Sequence, residues 1–219
     1  MPDLKTLVQD KSAVLFDMDG TIVNTEGLHA RAASGVLKEL GVIIDLESMM
    51  HKFYGVTDTV VLQTTCPHLT EKEIHYAIDK KNAELIKIFQ SMTSSEKEKY
   101  ITPGLFDFLN FLKKEKKKIG VVSASEDIVV SETLITFGIA SYVEIQMGRN
   151  QTTQTKPHPE PYIEGMKRLS SMPAETLIFE DSPTGLTSAH ASGAHIIRIT
   201  EFSHSKEKSA YRELKNFLF

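Results

Sequence analysis

The chain has 219 residues, 41% of them hydrophobic, and its 25 basic and 29 acidic side chains leave a formal net charge of −4. A chain of this size buries a substantial core, which excludes disorder, and charges of both signs scattered along it build no field to gather nucleic acid or an anionic membrane. One cysteine, Cys66, excludes an intramolecular disulfide and a cysteine-built zinc site, and the charged opening MPDLKTLVQD together with the lack of a bilayer-length apolar run predicts a cytoplasmic protein with no membrane partner.

In chain order, residues 13–17 (AVLFD) form the short apolar run expected of a strand buried on both faces. Leu28 to Leu40 has apolar residues at helical spacing and stops at Gly41, a C-terminal cap. A further helix is expected in 57–66 and a long one over 70–90, with Ile74, Ile78, Leu85, Ile88 and Phe89 on one face. No strand pattern occurs between 25 and 100. After Thr102-Pro103-Gly104 the spacing of Leu105, Phe108, Leu109 and Leu112 predicts an amphipathic helix, whose end KKEKKK (113–118) reads as solvated lysines suited to the helix dipole. There follow a strand through Val122, a helix over 128–137, a strand over 142–146, a helix over 159–171, the strand TLIFED, a helix closed by Gly193 and the strand HIIRI.

Alternating strands and helices predict an α/β fold, a doubly wound and mainly parallel sheet with helices on both faces. The first strand belongs to that sheet. Residues 1–24 and 101–219 would then form the core, and 25–100 an all-helical insertion able to act as a lid, or cap.

Ligands of such sheets sit outside the carboxyl ends of the strands. The first strand ends in Asp17-Met18-Asp19-Gly20-Thr21, the second in Ser123-Ala124-Ser125, and the fourth in Glu180-Asp181, while Lys156 sits in the loop before the helix leading to that strand. Carboxylates converging there would repel and resist ionisation, a conflict that a hard divalent cation resolves; magnesium suits oxygen donors and substrate phosphates. Asp17 and Asp19 point to the same side at period two, so one can ligate metal and attack phosphorus while the other manages a proton. Lys156, the Ser123 hydroxyl and backbone N–H groups around Ala124 would hold the phosphoryl group of a small phosphate ester. None of the eight histidines stands in a metal-ligand pattern.

These segments resemble the haloacid-dehalogenase superfamily of phosphohydrolases, in the branch with a helical cap after the first motif. DMDGTIVNT matches its first motif, VVSAS its second, KPHPEPY its third and IFEDSPTGLTSAHASGA its fourth, in order and over nearly the whole chain. The resemblance implies that Asp17 is the nucleophile, Asp19 the general acid and later base, and that Ser123 and Lys156 grip the phosphoryl group. It implies magnesium held by the Asp17 carboxylate, the Asp19 carbonyl and Asp181, with Glu180 nearby or coordinating. Thr21, Ala124, Ser125 and His29 would line the substrate site, His29 resembling a cap position that contacts the general acid. The acid at Asp19 sets the chain apart from members that cleave carbon–halogen bonds or phosphonates.

Within this branch the chain is similar to β-phosphoglucomutases and to sugar-phosphate phosphatases. A mutase grips a second phosphate through a cap arginine and a lysine and asparagine after the second motif; the corresponding residues here are Asp58, Glu126 and Asp127, acids that would repel it. Lys52, Lys80, Lys81 and Arg149 could supply another grip. Hydrolysis is therefore expected over mutase action, with Gly55 to Thr59 and residues 149–154 choosing the leaving group. A phosphoacceptor signalling module is the reading from another class; Asp19, the insertion and the motif order oppose it.

Overall fold

A computed structural model describes residues 4–53, 57–202 and 211–218. Helix α1 (Leu4–Leu7) and strand β1 (Ala13–Phe16) lead into the helices α2 (Glu26–Glu39), α3 (Leu46–Phe53), α4 (Asp58–Thr65), α5 (Glu71–Ser91) and α6 (Ser94–Glu98). There follow α7 (Leu105–Lys114), β2 (Lys118–Val122), α8 (Asp127–Thr136), β3 (Ile145–Met147), α9 (Glu160–Arg168), β4 (Thr176–Glu180), α10 (Pro183–Ala191), β5 (His195–Ile199) and β6 (Arg212–Leu214). The strands form one sheet in the order β3-β2-β1-β4-β5-β6, parallel at every pairing. The chain divides into two compact units, Met1–Asn24 with Lys97–Phe219, and Thr25–Glu96.

In the sheet unit, every residue of β1 and β4 is buried, as a strand covered on both faces requires. Ala13, Leu15 and Ile178 pack with Tyr162 and Met166 of α9 and Ala189 of α10. The alternate residues Phe16 and Phe179 stack at 5.2 Å between ring centroids and meet Phe108 of α7 and Phe217. Each buried ring stabilises the fold by roughly 1.5–3 kcal/mol. Helices thus cover both faces of a parallel sheet, the doubly wound arrangement expected.

Leu105, Phe108, Leu109 and Leu112 are all buried, so the spacing of α7 was legible. Gly104, at φ 80°, turns the chain into that helix, and a Cβ there would overlap the backbone of Phe217. Where the chain leaves and re-enters this unit, Asn24 N donates to Tyr100 O at 2.7 Å and Val23 bridges Ile101.

Three local expectations need correction, and two short elements had not been anticipated. The strand expected over 142–146 is Ile145–Met147: residues 140–142 form a 3-10 turn in which Tyr142 N donates to Ile139 O, and pairing with β2 begins only where Gly120 faces Ile145. The helix expected to reach 171 ends at Arg168, because Ser170 adopts φ 49° and Ser171 N returns to Met166 O. The two short elements α1 and β6 had no periodic signal, for four and three residues are too few to show one. The lysine run is partly a clasp: Lys117 Nζ donates to Gln9 O and Lys11 O, and Lys118 Nζ to Leu169 O.

In the helical unit α2 packs on α3 and α5, and α4 on α5. Its core joins Val36, Leu37, Val61, Leu62, Cys66, Ile74 and Ile78. Thr70 and Glu73 close a capping box that starts α5, fixing where the long amphipathic stretch begins. Ile88 is only half-buried, beside the buried Leu85 and Phe89.

Candidate active site

Strands β2, β1 and β4 are neighbours, so parallel pairing brings their carboxyl ends to one edge. Asp17 continues the ladder, its N–H donating to Phe179 O at 2.9 Å, and Ser123 does likewise to Met147 O. The residues that follow each strand therefore emerge side by side.

After β1 the chain turns at once: Ile22 N and Val23 N donate to Met18 O, and Gly20 N to Val23 O. Gly20 has φ 88°, and a Cβ there would overlap the Asp181 carboxylate, so glycine answers both the turn and the close approach. Thr21 Oγ1 donates to Asp181 Oδ1 at 2.9 Å. On the β2 side, Ser125 N donates to Ser123 Oγ at 3.0 Å and Ser125 Oγ to Asp19 Oδ2 at 3.2 Å, while Ala124 is exposed at the tip.

Lys156 lies among four acceptors: Asp17 Oδ1 at 2.6 Å, Glu180 Oε1 at 2.8 Å, Tyr162 Oη at 2.9 Å and Val122 O at 3.0 Å. Its loop is pinned by Glu160 at the start of α9, which accepts from Thr153 N and Gln154 N at 2.9 Å. Glu180 Oε2 accepts from Asp181 N, Ser182 N and Ser182 Oγ, and Oε1 from Lys156 and Tyr162, so its two oxygens receive five donors. Ser182 caps α10 by accepting from Gly185 N, and a Cβ on Gly185 would overlap Glu180.

Burial, reinforced by the charges of Glu180 and Asp181, pushes the Asp17 carboxyl well above its ordinary range, although Lys156 draws it down. Burial also opposes the Lys156 ammonium, but Asp17 and Glu180 outweigh it and hold that amine above its ordinary value. Carboxylate oxygens of Asp17, Glu180 and Asp181 lie within 4.8 Å of one another, all three residues buried. Three acids facing one ammonium leave excess negative charge in a donor set of hard oxygens, which fits a hard divalent cation.

The sheet unit thus brings together Asp17, Asp19, Thr21, Ser123, Ser125, Lys156, Glu180 and Asp181, with Ala124 at the same edge. His29 belongs to the helical unit, where Lys81 Nζ lies 3.1 Å from its Nδ1 and donates to Asp58 Oδ2 at 2.9 Å. The three acids expected to repel a second phosphate have local partners. Asp58 pairs with Lys81, Glu126 accepts from Asn150 Nδ2, and Asp127 Oδ1 accepts from Gly148 N at 2.8 Å and Gln151 Nε2 at 3.0 Å. Lys80 pairs with Glu39. Gly55, Val56 and the side chain of Lys52 lie outside the described residues.

Sequence reasoning gave Tyr162 no role. It is fully buried, touching both Lys156 and Glu180. Burial and then the nearby Glu180 and Asp17 charges push its phenol well above the ordinary value. Its signal was an aromatic with a polar tip six residues after Lys156, on a face otherwise filled by Gly165 and Met166.

A family of haloacid dehalogenase-like hydrolases matches residues 14–199. The phosphorylated carbohydrates phosphatase of Thermotoga maritima is 28% identical over 88% of this chain and 86% of its own length. The putative phosphatase YhcW of Bacillus subtilis is 29% identical over 92% of this chain and 94% of its own. Among solved structures, CbbY of Rhodobacter sphaeroides in complex with phosphate superposes with a TM-score of 0.83 at 21% identity, covering 94% of this chain and 95% of that one. The β-phosphoglucomutase of Clostridium difficile does so with a TM-score of 0.77 at 20% identity, covering 94% and 92%. At those identities the structural likenesses show the fold, and the family match spans most of the sheet unit together with the inserted helices. This chain belongs to the haloacid dehalogenase-like hydrolases.

Proposed function

We propose that this chain, a phosphoric monoester hydrolase of that family, cleaves a small sugar or polyol phosphate in the cytoplasm through an aspartyl phosphate on Asp17. The observation that carries the reading is the Lys156 ammonium, 2.6 Å from Asp17 Oδ1 at the edge where Asp19, Ser123 and Asp181 also converge. An Asp17 oxygen attacks phosphorus, the bond from phosphorus to the ester oxygen breaks, and Asp19 delivers a proton to the departing alkoxide. Water then attacks the phosphoryl group, the bond to Asp17 breaks, and Asp19 takes the proton from the water. Lys156 and Ser123 hold the phosphoryl oxygens throughout, so catalysis is chiefly alignment and charge neutralisation.

Magnesium, when bound, would neutralise charge on the phosphoryl oxygens and relieve the crowding of acids. Asp17, Asp181 and the Asp19 carbonyl would hold it. Glu180, whose oxygens already receive five donors, would order the loop that carries Asp181. Hydrolysis is favoured over mutase action by the acids Asp58, Glu126 and Asp127, each engaged with a local partner. A relative named for phosphorylated carbohydrates supports the substrate class.

The test is phosphate release from a panel of sugar, polyol and nucleoside monophosphates, with and without magnesium, alongside conversion of glucose 1-phosphate to glucose 6-phosphate. Asp17→Asn should abolish release, and Asp19→Asn should trap phosphate on the enzyme. Full activity of Asp17→Asn would remove the nucleophile assigned here.

A further inference from the structure

Ser125 is engaged on three sides. Its N–H donates to Ser123 Oγ at 3.0 Å, its carbonyl accepts from Arg149 N at 2.9 Å, and its hydroxyl donates to Asp19 Oδ2 at 3.2 Å. The first two bonds fix the Ser125 backbone between the ends of β2 and β3. Glycine at 148 permits that approach, for a Cβ there would overlap both Ser125 O and Asp127 Oδ1, while Asp127 Oδ1 holds Gly148 N at 2.8 Å. With its backbone pinned, a serine side chain has three staggered positions, so the hydroxyl is aimed rather than mobile.

A hydroxyl has one proton to give. Spent on Asp19 Oδ2, it makes the two carboxyl oxygens unlike: Oδ2 already receives a proton, so the acid form carries its own on Oδ1. Without that bond the carboxyl turns about a broad χ2 torsion, and either oxygen can face any direction that torsion allows. A general acid works only within hydrogen-bond reach of the departing oxygen, and small misplacements are costly.

We propose that Ser125 is a positioning residue, which fixes the Asp19 carboxyl so that Oδ1 is the atom that delivers the proton to the leaving group. The inference rests on the phosphatase reading and goes beyond it by assigning Ser125 to the support of the general acid. Gly148, Arg149 and Asp127 act on the reaction through Ser125.

The experiment follows phosphoryl transfer to Asp17 in a single turnover with magnesium, on whichever ester of the panel above the wild-type chain turns over fastest. It compares the wild-type chain, Ser125→Ala, Asp19→Asn and the double variant. Ser125 is half-buried, so alanine fits its place. Ser125→Ala should slow transfer about tenfold, the loss expected of a general acid that is present but poorly aimed. In the Asp19→Asn background, where position 19 has no proton to give, the same change should alter the rate less than about twofold. Ser125→Thr keeps the hydroxyl and should restore the rate to within about twofold of wild type. Phenyl and p-nitrophenyl phosphate supply a second readout of similar shape: nitrophenolate departs without a proton, so Ser125→Ala should slow phenyl phosphate more. Equal losses in the two backgrounds, equal losses on the two esters, or no loss at all overturn the proposal. Failure of the phosphatase reading is distinguishable, because it shows as no phosphate release by the wild-type chain from any ester.

Discussion

The Thr21 hydroxyl donates to Asp181 Oδ1 across 2.9 Å, although 160 positions separate them in the chain. Both residues are buried, and Thr102 holds Thr21 from the other side, its hydroxyl donating to Thr21 O at 2.7 Å. A neutral donor therefore orients the Asp181 carboxylate and leaves its charge intact for a cation. Thr21→Val keeps the shape and removes the donor, at a cost of about 1–3 kcal/mol for a buried oxygen short of its hydrogen bond. The melting temperature should fall by about 2–12 °C, and the magnesium concentration for half-maximal phosphate release should rise about tenfold. A lower melting temperature with an unchanged magnesium requirement would show that Thr21 supports the fold without orienting Asp181.

Gly20 and Gly41 share a left-handed backbone, φ 88° and 82°, in unlike surroundings. A Cβ on Gly20 would overlap Asp181, whereas a Cβ on Gly41 meets nothing within 4 Å. Alanine at either position costs about 1 kcal/mol of backbone strain. Gly41→Ala should do no more than that, losing a few degrees of melting temperature with phosphate release intact. Gly20→Ala should also displace Asp181 and lower kcat at least about 100-fold while far-ultraviolet circular dichroism stays native. Equal activity in the two variants would mean that the approach of Gly20 to Asp181 is not needed.

The parts of this molecule legible in sequence are those whose signal is periodic or local. The stripe from Leu105 to Leu112 and the capping box of Thr70 and Glu73 announce α7 and the start of α5 because each is written within a turn or two of helix. Asp17, Ser123 and Asp181 could be chosen because each follows a strand in a motif of its own, and Lys156 because its motif opens the helix α9. Tyr162 was missed because its significance is a distance to Glu180, 18 residues on, which no local pattern encodes. Strand β6 and the contacts of Lys117 were hidden for the same reason: three residues pair with β5, and one ammonium meets the carbonyls of Gln9 and Lys11 more than 100 positions earlier.

Asp127 is one of the acids on which the preference for hydrolysis over mutase action rests, and that role is testable. Its Oδ1 accepts from Gly148 N and Gln151 Nε2, and Arg149 N donates to Ser125 O at 2.9 Å, so the end of β3 and the loop after β2 brace each other. Asp127→Lys adds a cation but removes that brace. It should therefore create no conversion of glucose 1-phosphate to glucose 6-phosphate, lower kcat/KM about tenfold and reduce the melting temperature by about 2–4 °C for a loss near 1 kcal/mol. Mutase activity appearing with stability unchanged would show that the charge at this position alone separates the two reactions.

Glu160 offers a prediction in pH. Its carboxyl is held below the ordinary 4.5 by the Thr153 N–H and then the Thr153 hydroxyl, with the Gln154 N–H adding to them and slight burial opposing. A group whose pKa is depressed in the folded state stabilises fully above its unfolded value and loses that contribution as pH falls through the folded one. The clamp on the loop before Lys156 should therefore hold above pH 4.5 and release below it. Hydrogen exchange of the Thr153 and Gln154 amides, corrected for intrinsic rates and referenced to amides of β1, should show protection that is flat above that pH and falls beneath it. Glu160→Gln still accepts, but without charge, so protection should be weaker at every pH and the step should vanish, with kcat/KM down about threefold as Lys156 loses its tether. A step of the same size in Glu160→Gln would assign the transition to another group, since the substituted amide does not titrate.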